Sequence, residues 1–190
     1  MRSRLHRLGP PPLLAVALLL AHPAPAFPDA PPWGHHGAPG DPDCTACHFD
    51  ATAVEPSPAL RVEGLPERVE AGASYRITIR LDAAGARAAG LLLVAAHAGE
   101  PRDAAPAGDF EAVDARTQAR GAAARSTAAG SRPTERGDLV WTVVWHAPQR
   151  LAGPVVLYLA ANAANGDASP FGDTIHLRKV RLTPPADRAR

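Results

Sequence analysis

Residues 74–82 read SYRITIRLD, with Tyr75, Ile77, Ile79 and Leu81 alternating against Ser74, Arg76, Thr78 and Arg80. A period of two over this length belongs to a strand with one buried face. Four further runs have strand length. Residues 90–96 and 154–161 are almost continuously apolar and suit central strands covered on both sides. Residues 139–145 set Leu139, Trp141, Val143 and Trp145 on one face and Val140, Thr142 and Val144 on the other, and residues 174–182 supply a last strand. Asn165-Gly166-Asp167, then Pro170 and Gly172, form a turn before it. The alanine-rich stretches 83–89 and 121–129 carry glycine and connect strands, so they read as loops or a short turn. Short strands with such turns point to an all-β antiparallel β-sandwich. A length of 190 residues fits one such domain, and with aromatics at 5% its core must be mainly Val, Leu, Ile and Ala.

The first 26 residues begin with Arg2, Arg4 and Arg7, run through the apolar stretch 13–21 and reach small residues at Ala24 and Ala26. This is the layout of a secretory signal peptide cleaved after Ala26, with no membrane anchor expected afterwards and a periplasmic or secreted destination. Lysine and arginine number 20 against 19 acidic residues; without the three leader arginines the balance is 17 against 19, about −2. No basic surface for a polyanion follows from that, and no nucleic-acid partner is expected. Three parts then succeed the leader: an irregular Pro, Gly and His-rich segment at 27–58, the sandwich at 59–184 and a tail at 185–190.

Both cysteines fall in Cys44-Thr45-Ala46-Cys47-His48. Two thiols at this gap can form thioethers to the two vinyl groups of a haem, and the adjacent imidazole then reaches the iron as proximal ligand. One covalent haem c is therefore expected, held by Cys44, Cys47 and His48. Export agrees, because such attachment takes place outside the cytoplasm. Zinc is the rival ion, with Cys44, Cys47, His48 and one of His35 or His36 as a tetrahedral set. A thioredoxin-like redox disulfide lacks the strand before and the helix after that its chemistry needs, and an unmodified structural disulfide is the plainest option.

The only methionine is Met1, in the leader, so His/Met ligation is excluded and a low reduction potential is expected. The distal position is either open or filled by His35, His36, His97, His146 or His176, of which His35 and His36 are tethered closest. Trp141 and Trp145 share a face; core packing is their default, with stacking on a haem edge as the other use. Asn162, Asn165, Asp167 and Asp173 gather oxygens within twelve residues, but without EF-hand spacing they read as Asx-turn residues before calcium ligands. No Ser/His/Asp order, phosphate loop or paired-carboxylate motif is present, so no enzyme activity is expected.

The stretches GAPGDPDCTACH, GLPERVEAGASYRITIRL, LVWTVVWHAP and VVLYLAANAANGDASPFGDTI together resemble bacterial secreted proteins with a Reeler-like domain, the choice-of-anchor group. The resemblance runs from Gly37 to about Leu182. It implies an immunoglobulin-like β-sandwich with a CxxCH segment at its start. Two features are not carried over: a histidine that many members place where this chain has Arg125, and an anchoring tail, since TPPADRAR is followed by none. The resemblance speaks to fold more than to activity; from the CxxCH motif and the leader, the function expected is a periplasmic or secreted c-type cytochrome module passing electrons to a redox partner protein. An adhesion or scaffold sandwich that binds haem or zinc only for structure or sensing is the alternative.

Overall fold

The computed structural model describes residues 30–99 and 105–186. The expected leader lies outside the described residues. Among the described residues, ten strands form two sheets. The larger contains β1 (Ala53–Val54), β10 (Thr174–Leu182), β9 (Val155–Ala164), β4 (Ala88–His97), β7 (Ala123–Ser126) and β6 (Thr117–Arg120), in that order across the sheet. The smaller contains β2 (Leu60–Glu63), β3 (Ser74–Leu81), β8 (Leu139–His146) and β5 (Asp109–Ala112). Every pairing is antiparallel except β1 with β10, which is parallel. The architecture is an all-β sandwich, as the alternation in β3 and β8 requires.

Its core lies between the sheets. Ile77, Ile79 and Leu81 of β3 and Leu139, Trp141, Val143 and Trp145 of β8 meet Leu91, Leu93 and Ala95 of β4 and Leu157, Leu159 and Ala161 of β9. Each buried indole donates to a carbonyl, Trp141 Nε1 to Gly130 (2.9 Å) and Trp145 Nε1 to Ala107 (3.0 Å), which removes the cost of an unpaired N–H. Arg116 fixes the neighbouring loop by donating to the carbonyls of Val140, Ala129, Gly130 and Arg132.

The second face of the larger sheet is also covered, and the cover is the irregular segment at 30–52. Alternation along β9 sends Val156, Tyr158 and Ala160 outward, and along β10 Ile175 and Leu177. Val156 and Tyr158 pack with Ala38 and Ala96, while Ala160, Ile175 and Leu177 pack with Cys44, Ala51 and Ala53. This strap is pinned at its start by Trp33, whose ring lies under the guanidinium groups of Arg120 (4.8 Å) and Arg125 (4.4 Å), and by Arg125 Nη1 donating to the Pro31 carbonyl (2.8 Å). At its end β1 joins the sheet, Ala53 opposite Ile175. A segment too polar to build a core of its own thus supplies a third layer.

Candidate functional site

The CxxCH motif sits in that strap as one helical turn. Asp43 caps it, Oδ1 accepting from the Thr45 backbone N–H (2.7 Å) and hydroxyl (2.6 Å), so residues 44–46 wind into a 3₁₀ turn. The N–H groups of Cys47 and His48 then both donate to the Cys44 carbonyl, at 3.3 and 3.1 Å. Both cysteines are free thiols, half-buried. Cys44 packs against Ala160, Ile175 and Leu177, and burial, with smaller contributions from Asp43 and Cys47, pushes its thiol up to about 12.

His48 is held from below. Its Nδ1 lies 2.9 Å from Oδ2 of Asp173, whose side chain is 1% exposed and directly precedes β10. Oδ2 also accepts from Asn162 Nδ2 (3.0 Å), and Oδ1 accepts from the Asn165 backbone N–H (3.2 Å). A carboxylate beside Nδ1 assigns the proton to that nitrogen and leaves the lone pair on Nε2. Asn162 Nδ2 stands 3.2 Å from Nε2 and 3.5 Å from Nδ1. A donor on the Nε2 lone-pair axis would be much farther from Nδ1 than from Nε2; the near-equal distances place this amide off that axis, to the side of the ring. Asn162 Oδ1 is buried without a hydrogen-bond partner among the described residues.

Among the described residues the large apolar side chains left exposed are Phe49 (67%), Phe171 (54%) and Val54 (40%); the first two lie at this turn, whereas Val54, opposite His176 on β10, is on the other side of the sheet. Phe49 sits between His48, paired to Asp173, and Asp50, whose Oδ2 accepts from the Gly172 N–H at 3.0 Å, so Phe171 is brought to the same corner.

The other candidate residues are scattered. His35 lies on the strap, Nδ1 3.3 Å from the Trp33 carbonyl, and His36 is buried beside Asp41 (3.6 Å), burial holding it below the usual histidine range against the opposing pull of Asp41. These two alone share the layer of His48. His146 belongs to the smaller sheet, between Ser74 Oγ (2.7 Å) and Glu111 Oε2 (3.1 Å). His176 alternates with Ile175 and Leu177 and so points into the sandwich, Nδ1 2.9 Å from Ser57 Oγ; burial lowers its pKa. His97 ends β4, seven residues along from Gly90, the partner of Asn162.

Trp141 and Trp145 are enclosed between the sheets and cannot meet a group carried on the strap. Among the described residues no three His, Cys, Asp or Glu side chains converge to hold a metal ion, so the zinc grouping of Cys44, Cys47 and His48 with His35 or His36 is not assembled. The Asn165 and Asp167 side chains make successive Asx turns, to the N–H groups of Asp167 (2.9 Å) and Ser169 (2.8 Å), as the sequence suggests. The partnership of Asn162 and Asp173 with His48 is what sequence reasoning missed. One signal was available: Asn162 interrupts the apolar run of β9 at an outward position.

No protein-family model matches the chain, and no curated protein matches it. Among solved structures, the human F-spondin reeler domain (fragment 1) is similar with a TM-score of 0.51 at 23% identity, over 70% of this chain and 94% of that one. The Reelin-N domain of F-spondin is similar with a TM-score of 0.52 at 24% identity, over 75% of this chain and 97% of that one. The fold is Reeler-like. On this Reeler-like sandwich the CxxCH turn occupies the outer face of the larger sheet, at the corner where β9 turns into β10. Among the described residues no helix is long and apolar enough to cross a membrane.

The donor set fits a covalently attached haem. The two thiols leave one helical turn, the next residue is an imidazole whose Nε2 carries the lone pair, and exposed Phe49 and Phe171 offer apolar surface to a porphyrin. One element argues for movement on attachment: the Cys44 side chain rests on the sheet, so the turn must lift for this thiol to reach a vinyl group.

Proposed function

We propose that this chain is an extracytoplasmic β-sandwich module that carries one haem on its Cys44–His48 turn and passes single electrons to a partner protein. Cys44 and Cys47 are the thioether attachments and His48 Nε2 is the iron ligand. The observation that carries the reading is the His48–Asp173 pair at 2.9 Å, which fixes the imidazole in the tautomer that a metal requires. The bound haem supplies one-electron chemistry. The protein's part is orientation: Asp173 holds His48, the Asp43 cap holds the turn, and exposed Phe49 and Phe171 offer apolar surface beside it. His35 and His36, on the same strap, are the distal candidates that need least rearrangement.

The test is a pyridine haemochrome spectrum and a haem-stained denaturing gel of the full chain, exported in a host with cytochrome c maturation. We expect a covalent stain in the wild type, weakened or lost in Cys44→Ser and Cys47→Ser. An unstained, correctly exported wild type overturns the reading. The Reeler-like fold favours a second one, a binding or scaffold module in which haem is structural; slow reoxidation without any competent protein partner would select it.

A further inference from the structure

Asp173 is the most deeply buried carboxylate of the site, and its side chain meets no lysine or arginine among the described residues: its partners are the His48 imidazole, the Asn162 amide and the Asn165 backbone N–H. A buried carboxylate without a cation is costly. An asparagine offers one acceptor oxygen where Asp173 uses two, so it could keep the bonds from His48 and Asn162 but would turn its NH2 group toward the Asn165 N–H. We propose that Asp173 is a positioning residue that sets the reduction potential of the site, an inference that rests on the haem reading above. A carboxylate accepting from Nδ1–H draws the proton toward itself and places negative charge on the imidazole, more than a neutral acceptor does. Nε2 becomes a stronger donor, and the more positive, ferric state of the bound iron is favoured over the ferrous one. The effect adds to the low potential expected from the absence of methionine.

The geometry supports a fixed device. Both carboxylate oxygens are engaged, Asn162 braces Oδ2 from β9, and Asn165 braces Oδ1 from the β9–β10 turn, so the acid cannot rotate away from His48.

The experiment compares midpoint potentials of the exported full-length wild type, Asp173→Asn and Asp173→Glu, with haem content measured on each. Asparagine keeps the shape and removes the charge. We expect it to retain haem and to lower the ferric-to-ferrous ratio at fixed ambient potential about tenfold, a rise of ~59 mV for one electron. Glutamate, which restores the charge, should move the potential back toward wild type. Should Asp173→Asn fail to fold, the Fe–CO and C–O stretching frequencies of the wild-type ferrous carbonyl test the same point, since an electron-rich imidazole displaces the pair in a defined direction from that of a neutral one. Haem-loaded Asp173→Asn with an unmoved potential, or a carbonyl adduct of neutral-imidazole type, overturns the inference and leaves the haem reading standing. A wild type without haem overturns both.

Discussion

Replacing Ile175 with alanine tests whether the strap is a true layer of the protein. Ile175 is fully buried on the outward face of β10, and its cover comes from Cys44, Ala51 and Ala53 with Ala160 and Leu177 beside it. Truncating a buried isoleucine costs 2–5 kcal/mol, depending on how far the site can collapse. Here the floor is a sheet and the roof is pinned on two sides, by the Ala53–Ile175 pairing and by His48 on Asp173, so collapse is limited. A loss of about 3 kcal/mol follows, which for a chain of this size lowers Tm by ~6–12 °C. Urea titration followed by tryptophan fluorescence reads it directly, because Trp141 and Trp145 are buried between the sheets. Thr174→Ala, exposed one residue earlier, is the control and should stay within about 0.5 kcal/mol. An Ile175→Ala change as small as that control would mean that the outer face is wet and the strap does not cover it.

Three further outcomes are expected. In haem-free protein made without export, iodoacetamide at pH 8 should modify Cys44 far more slowly than it does after denaturation, because burial holds the thiol near 12; equal rates in the two states would refute the packing. Stability should be fully present above the ordinary histidine value of 6.5 and fall as pH drops below it, since His176 and His36 are protonated in the unfolded chain before the folded one; denaturant midpoints at pH 7.5 and 5.5 should show the fall, and His176→Gln should flatten it. Gly130→Ala would put a Cβ 2.0 Å from the Arg116 carbonyl oxygen, forcing the loop beneath Trp141 to move; a loss of about 2 kcal/mol or more in a thermal melt is expected, and a neutral result would mean that the loop yields freely.

The long strands were legible in the sequence because each buries a regular face. β10 runs 174–182 as the pattern indicates, and β3 and β8 match within a residue of their expected ends. β7 was not legible, for it is four residues of an alanine-rich stretch whose pairing with β4 and β6 is decided by tertiary contacts and not by local preference. β1, β2, β5 and β6 are similarly short. The near-continuous apolar runs of β4 and β9 correctly called for cover on both faces, yet nothing in a Pro, Gly and His-rich segment identified it as that cover. At the site, the cysteine spacing named three residues, while Asp173 was read only as a turn residue. Its role depends on β10 returning beside the strap, a contact across more than a hundred positions that no local spacing records.

That return also orders events in time. Asp50 meets Gly172 across 122 positions of sequence, so the cysteine turn is made long before the residues on which it will rest. At ordinary synthesis rates of 5–20 residues per second the delay is about 6–25 s. During it Cys44 has no sheet beneath it and its thiol titrates as in any open chain. The Cys44 sulfur is open to reagents for as long as β10 has not docked, on the ribosome or after export, and the sheet covers it from then on.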